Sequence, residues 1–458
     1  MSAFASFAPA LTAPTWENLG VLLRGAVLAP GARTVTGCLR AAWPWVTKHW
    51  SAYENVPRRA RLDMLAMARE LFRQILELLP PEAVVGLIVD ESLLRRYGPW
   101  VVEVGMHRDA VRSSHARSAV SPGHKWVTLA VVVRLPFAGS ALALPVLSVL
   151  YSTRKHARRN RAKRLYRKHR TVTELALLLV RIVVRWAPQR RFRLVGDGTY
   201  ATHGLAEALH AASRHRSLRR VSLVSRFPMD GATYAPAPPY SGRGRPRLKG
   251  HKLPTPRQVA SDPDTVWSRL SVEWYGGVRK EVLLCSRTGL WYRPGSAPTP
   301  VRWVVVRQTE GNHPDEAFFT TDVESSLKGL VETFVRRWPV ETTFEEARAH
   351  LGLETLRNRT PNAVRRSAPL LLALYSLIVI WFAKHVDDPD AWKQSTPWYS
   401  KPHVTFSDML AAARQDVLGE ILDERFFSRP GPQRAESKVL EPHPAFSNPV
   451  HFAIHRCA

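Results

Sequence analysis

The chain has 458 residues, 45% of them hydrophobic, and a formal net charge of +28. That content supports a large core divided over two or three domains and excludes global disorder. The basic balance points to a polyanionic partner, nucleic acid first and an anionic membrane surface second.

The first 80 residues read as helical. The N-terminus, MSAFASFAPALTAP, lacks the basic start and apolar run of a signal peptide. YENVPRRARLDMLAMARELFRQILELL carries apolar residues at helical spacing and stops at Pro80 and Pro81. Ala83 to Asp90, AVVGLIVD, is a short apolar run with β-branched residues, expected as a buried strand ending on an acid. Trp100 to Met106 and Trp126 to Leu135 read as two further strands, so the three suggest an antiparallel meander.

A basic run follows from Arg154 to Arg170, with ten Lys or Arg among 17 residues and no acid. TVTELALLLVRIVVRWA then predicts a strong helix, capped by Thr171 or Thr173. RFRLVGD, Arg191 to Asp197, is a second strand ending on an acid, followed by a helix (HGLAEALHAAS) and a strand (LRRVSLVSRF). From Phe227 to about Pro300, Pro and Gly are dense and short strand signals such as EVLLCS recur, as in a loop- and β-rich insertion. VRWVVVRQ restores strand signal, and a helix from about Val323 leads into RRWPVETTFEEARAHLGLE. The run PLLLALYSLIVIWFA, Pro369 to Ala383, is short for the roughly 20 residues of a bilayer span. It is expected as a buried core helix, with no membrane partner. The tail from 385 is Pro-rich with one amphipathic stretch, FSDMLAAARQDVLGEIL.

Two strand-end acids, Asp90 and Asp197, and a helix acid, Glu341, stand 107 and 144 residues apart. A meander, a crossover helix and a parallel strand make the core of an RNase H-like sheet, which presents acids in this order. Phosphodiester cleavage uses two divalent ions about 3.5–4 Å apart to activate the nucleophile and steady the leaving oxygen. Mg²⁺ takes hard oxygen ligands and keeps several waters, so a few carboxylates suffice. Each acid alone reads equally as a cap or a salt-bridge partner; the set in this order carries the reading.

With VDESLLRRYG, GMHRDAVRSSH and GHKWVTLAVVV as a first block, LVGDGTYA as a second, and VSRFPMDGATYAPAP and GRGRPRLKG in the insertion, the chain resembles the DDE transposases of prokaryotic insertion sequences, in the IS-four group and its IS-seven-hundred-one relatives. The resemblance covers roughly residues 80–385. That family's Tyr-Arg-Glu-Lys signature falls here on Phe334, Arg337, Glu341 and Arg348, so two of its four positions are changed. Phe334 lacks the hydroxyl that could bond a phosphate, and Arg348 keeps the charge with a different geometry.

The resemblance implies an α/β chain with an RNase H-like catalytic core, a mixed sheet flanked by helices, plus a β-rich insertion and an N-terminal helical domain. The expected units are 1–80, helical and DNA-binding; 81–226 and 301–385, the two parts of the core; 227–300, the insertion; and 386–458, a C-terminal region for dimerisation or DNA contacts. It further implies two Mg²⁺ or Mn²⁺ ions on Asp90, Asp197 and Glu341. Double-stranded DNA would be the partner, at element ends and target, with a homodimer holding two ends. Hydrolysis at the element end would free a 3′-hydroxyl for strand transfer, in a cytoplasmic, nucleoid-associated protein. The alternatives are a transposase-derived DNA-binding protein that no longer cuts, and an RNase H-like nuclease without strand transfer. In a hairpin route a flipped base would stack on an insertion tryptophan, Trp291 or Trp303, both equally readable as sheet core.

DNA contacts are expected from Arg337, Arg348 and Phe334 in the signature. In the basic run they are expected from Arg154, Lys155, Arg158, Arg159, Arg161, Lys163 and Arg164. Arg243, Arg245 and Arg247 form an AT-hook-like GRGRPR suited to a narrow minor groove. His107, His115 and His124 stand eight and nine residues apart, which fits no trusted zinc pattern. The widely spaced Cys38, Cys285 and Cys457 give neither a disulfide framework nor a zinc spacing. No G-x-S-x-G turn appears, against a serine hydrolase.

On a continuous helix at about 100° per residue, Phe334, Arg337 and Arg348 fall within roughly 40° of Glu341, Glu346 falls about 140° away, and Glu345 about 40° away. Glu345 stays open on geometry, with Arg348 as a possible pairing partner, and only the family spacing favours Glu341. Pro339 suits a first helical turn and predicts a bend in this stripe.

Overall fold

A computed structural model describes residues 2–114, 116–155, 169–240, 242, 244–311 and 313–422. Strands β1 (Val85–Arg95), β3 (Val120–Val133) and β4 (Leu142–Tyr151) form the antiparallel meander, with β2 (Gly105–Arg108) a short strand on β3. The chain then crosses over through a helix, Val172–Trp186, to β5 (Phe192–Val195), which pairs parallel to β1; β6 (Val221–Phe227) pairs parallel to β5. Parallel neighbours require such a crossover. The helix starts where its sequence says: Thr171 and Glu174 form a reciprocal capping box. The order β4-β3-β1-β5-β6, flanked by helices, is an RNase H-like core.

The sheet does not stop at β6. The strands β7 (Thr233–Tyr234), β8 (Ser268–Glu273), β9 (Arg279–Trp291), β10 (Thr299–Gln308) and β11 (Glu316–Thr320) extend it to eleven strands, because β11 pairs antiparallel with β6. The insertion is therefore a continuation of the catalytic sheet, and β10 straddles the boundary expected at residue 300.

Three sequence expectations need correction. Asp90 is not at a strand end: β1 runs on to Arg95, because its ladder with β3 continues to the Arg95–Gly123 pair. Trp100–Met106 is mostly a turn, with Glu103 and, just before the segment, Gly98 at positive φ, and only its last two residues enter β2. The third meander strand is instead Leu142–Tyr151, hidden by Pro145. That proline sits where the β3–β4 register shifts by one residue, the kind of bulge on which proline is tolerated. Its carbonyl accepts a hydrogen bond from Ser376 Oγ at 2.8 Å, so the disrupted edge is satisfied by a packed helix.

That helix, Pro361–His385, passes the length and apolarity test for a membrane span, yet most of its apolar side chains lie in the core. The N-terminal helices Ala13–Leu28 and Met64–Leu76 bury Val27, Leu71, Phe72 and Ile75 in the same hydrophobic cluster as β1 and β3. The long helical stretch expected after Tyr53 is broken: one helix ends at Arg58, and Asp63 caps the next by accepting from Leu65 and Ala66 N–H.

The loop joining β2 to β3 is pinned by a buried acid. Asp109 accepts from Arg95 Nε at 2.7 Å and Nη2 at 3.0 Å and from Ser121 Oγ at 2.8 Å. The Arg95 hydrogen bonds hold its carboxyl well below the usual carboxylate range. A depressed folded-state pKa stabilises the fold above the unfolded value of about 4 and loses that contribution as pH falls below it. Asp109→Asn is therefore expected to cost about 2 kcal/mol at pH 7, less than for a fully buried pair because Arg95 is partly exposed. The gap from wild type should close as pH falls from about 4, in thermal melts across pH; a gap unchanged down to pH 2 would rule this account out.

Candidate active site

Strands β1 and β5 run side by side in the same direction, with Ile88 opposite Val195. Two residues further along each chain stand Asp90 and Asp197. Asp197 lies just past β5, where its carboxylate caps a turn, accepting from Thr199 N–H at 2.9 Å and Thr199 Oγ1 at 3.2 Å. Its carbonyl accepts from Ser225 Oγ of β6 at 2.6 Å. Tyr200, fully buried, packs under Gly196 so closely that a Cβ there would meet it at 2.7 Å. Only glycine lets the backbone before Asp197 sit on that ring.

Glu341 arrives on the helix Pro339–Leu351, in its first turn, where the helix dipole favours a carboxylate. The helix is anchored by Thr343 Oγ1, which donates to Ala143 O of β4 at 2.8 Å. Arg33 reaches across from the N-terminal helices and donates to His350 O at 2.5 Å, holding the other end.

Arg337 links the acids. Its Nη1 donates to Asp90 Oδ2 at 3.3 Å and lies 2.7 Å from Glu341 Oε1. One guanidinium nitrogen thus bridges the first and third acids. Burial pushes the Asp90 carboxyl up to about 7; the Arg337 charge opposes this, and the Asp197 and Glu341 charges add to it. Three carboxylates sharing one cation are short of positive charge. Among the described residues, no three His, Cys, Asp or Glu side chains converge tightly enough to hold one ion as they stand. The donor set nevertheless fits a hard divalent cation: carboxylate oxygens, one of them resisting ionisation until positive charge is supplied.

Glu345 is exposed and takes no part, and Arg348 does not pair with it. Arg348 Nη2 donates to Ser92 Oγ at 2.5 Å, two residues along β1 from Asp90, and its Nε lies 3.3 Å from Glu354. Phe334 is corrected outright. The stripe is not one helix: the preceding helix ends at Val335 and the next begins at Pro339, which has no N–H to continue the ladder. Phe334 points into the core, 3% exposed and stacked on Phe318 at 4.1 Å, so it is not a DNA contact. Trp303 is fully buried, and Trp291 packs against Phe227 and Phe319, so neither offers a stacking face to a base.

The aromatics beside the site are others. Trp338, half exposed, lies edge-on to Tyr275 at 5.7 Å, and Tyr275 to Trp274 at 5.3 Å, in the β8–β9 turn. Glu316, Arg337 and Glu341 all act on the Tyr275 phenol, which burial raises above its ordinary pKa. The signal was present in VEWYGG, an aromatic pair before a Gly-Gly turn.

Arg154, Lys155, Arg245 and Arg247 are exposed. Arg158, Arg159, Arg161, Lys163, Arg164, Arg243 and His115 lie outside the described residues. His107 and His124 are buried on β2 and β3; His124 Nε2 lies 2.8 Å from Val102 O, and burial holds His107 down to about 4, hence neutral.

A family model described as DDE superfamily endonuclease matches residues 6–281, more than half of the chain. The match takes in Asp90 and Asp197 and ends before Glu341. No curated protein matches the chain. With both acids inside the matched segment, Asp90 on β1 and Asp197 just past the parallel β5, the chain belongs to the DDE superfamily endonucleases.

Proposed function

We propose that the protein is a cut-and-paste DNA transposase, close to the IS-four group and its IS-seven-hundred-one relatives, that hydrolyses element ends and joins the freed 3′-hydroxyl to target DNA. The observation that carries this reading is the Arg337 bridge between Asp90 and Glu341, beside Asp197 at the end of the neighbouring parallel strand. Endonucleases of this family generally use divalent metal ions and act on DNA. Asp90, Asp197 and Glu341 would hold two Mg²⁺ or Mn²⁺ ions, which when bound activate the attacking oxygen and stabilise the leaving one. Asp90 gives up the proton that burial favours, and Arg337 keeps the two acids facing each other. Arg348, Arg154, Lys155, Arg245 and Arg247 supply charge for backbone phosphates. Trp338, Tyr275 and Trp274 offer the stacking faces that Trp291 and Trp303 do not, for a base unstacked during end processing. Two chains would hold two DNA ends.

The test supplies linear element ends, Mg²⁺ and a supercoiled target. Strand-transfer products are expected. Cleavage without joining would instead assign a nuclease, and binding unaffected by Asp90→Ala without any cleavage would assign a DNA-binding protein.

A further inference from the structure

Alternation along β1 puts Asp90, Ser92 and Leu94 on one face of the strand, and Arg96 follows directly after its last residue, Arg95. Asp90 faces Arg337 and Ser92 faces Arg348. Arg96 is 8% exposed as a residue, but none of its guanidinium nitrogens is sealed off, and they meet solvent rather than a hydrogen-bond or ion-pair partner among the described residues. The loop after the catalytic helix folds over this end of β1: Val102 N–H donates to Arg359 O at 3.4 Å, and Arg365 pairs with Glu103. Arg357, on that loop, is exposed and likewise has no side-chain partner among the described residues.

The acids nearby are already taken. Asp109 holds Arg95, Glu103 holds Arg365, and Glu354 holds Arg348. Two arginines are left over, one of them with its stem buried and its head reaching solvent. Burial lowers the Arg96 pKa first and the Arg357 charge lowers it further, with Glu354 offsetting only part. A guanidinium that reaches solvent with no acid beside it is free to meet an anion from outside the chain. Guanidinium forks match phosphate geometry.

We propose that Arg96 and Arg357 form a seat for a backbone phosphate of the bound DNA, just past the end of β1 beyond the catalytic acids. This rests on the reading of the chain as a DNA enzyme. Arg96 stands six residues along the chain from Asp90, about 20 Å at the usual strand rise. A duplex lying along β1 would bring to this seat a phosphate on the order of six base-pair steps from the scissile one.

The test measures binding of the full-length protein to a fluorescein-labelled 30-base-pair duplex by anisotropy, at several salt concentrations, for wild type, Arg96→Gln and Arg357→Gln. Each variant should bind several-fold more weakly, with the slope of log affinity against log salt reduced by about one. Arg96→Gln should melt at the same or a higher temperature than wild type, because the guanidinium holds no partner in the fold. Unchanged affinity and slope in either variant overturns the seat. A lower melting temperature, or no folded Arg96→Gln protein, marks Arg96 as a structural residue and overturns it too. Arg357 is exposed, so its variant is read independently of folding. If wild type itself fails to bind the duplex, the DNA-enzyme reading falls, an outcome distinct from a wild type that binds and variants that bind equally.

Discussion

Asp90→Asn and Glu341→Gln should each lower phosphodiester cleavage by at least about a thousandfold while leaving duplex affinity within about twofold. Each change removes one negative charge and keeps the side-chain volume. The three acids are expected to act as a unit, since Arg337 Nη1 touches both Asp90 and Glu341 and Asp197 stands just past the adjoining parallel strand. Losing any one therefore empties the same function, whereas phosphate affinity rests on arginines elsewhere. Glu345→Gln is the control. Glu345 is four residues from Glu341 on the same helix but exposed, so its loss should leave cleavage near wild type. Rates measured on a labelled end-containing duplex in Mg²⁺, and again in Mn²⁺, decide the matter. A dead Glu345→Gln beside an active Glu341→Gln would move the third acid one turn along the helix.

Much of the scaffold is legible in the sequence, for local reasons. The strands before Asp90 and Asp197 are short apolar runs buried on both faces, with the continuous pattern of strands in the middle of a sheet. The crossover helix announces itself through Thr171 and Glu174, a cap that needs only four neighbouring residues. What stayed hidden depends on partners far along the chain. β4 contains a proline, which argues against a strand until its bulge opposite β3 is seen. The insertion reads as separate because nothing local reveals that β11 will pair with β6.

The site divides in the same way. Strand acids and a helix acid can be listed from spacing, but Glu341 and Glu345 sit about 40° apart on a wheel and only the fold separates them. Phe334 went astray because wheel arithmetic assumes an unbroken helix, and the chain breaks at Arg336–Trp338. Side-chain type cannot tell a buried tryptophan from an exposed one, so Trp291 and Trp303 stood in for Trp338 and its neighbours. Arg96 shows the opposite limit. A basic pair after a strand looks like ordinary surface charge, and its lack of a partner is visible only once every nearby acid has been assigned.

Arg337→Ala should destabilise the fold by about 3–5 kcal/mol at neutral pH and abolish cleavage, the cost expected when one side of a buried ion pair is removed. Its side chain is 13% exposed, and all three acids act on it. Without it, Asp90, Asp197 and Glu341 face one another with no counter-charge. Arg337→Lys keeps a positive charge but loses the planar fork, so it should recover part of the stability and less of the cleavage. A divalent cation that binds the acids of the folded chain and not the unfolded one stabilises by mass action. Added Mg²⁺ should therefore raise the melting temperature of Arg337→Ala more than that of wild type, whose acids already share a cation. Denaturant melts with and without Mg²⁺ read this directly. Stability within about 0.5 kcal/mol of wild type, together with an equal response to Mg²⁺, would mean that Arg337 is a bystander and that the acids hold their places without it.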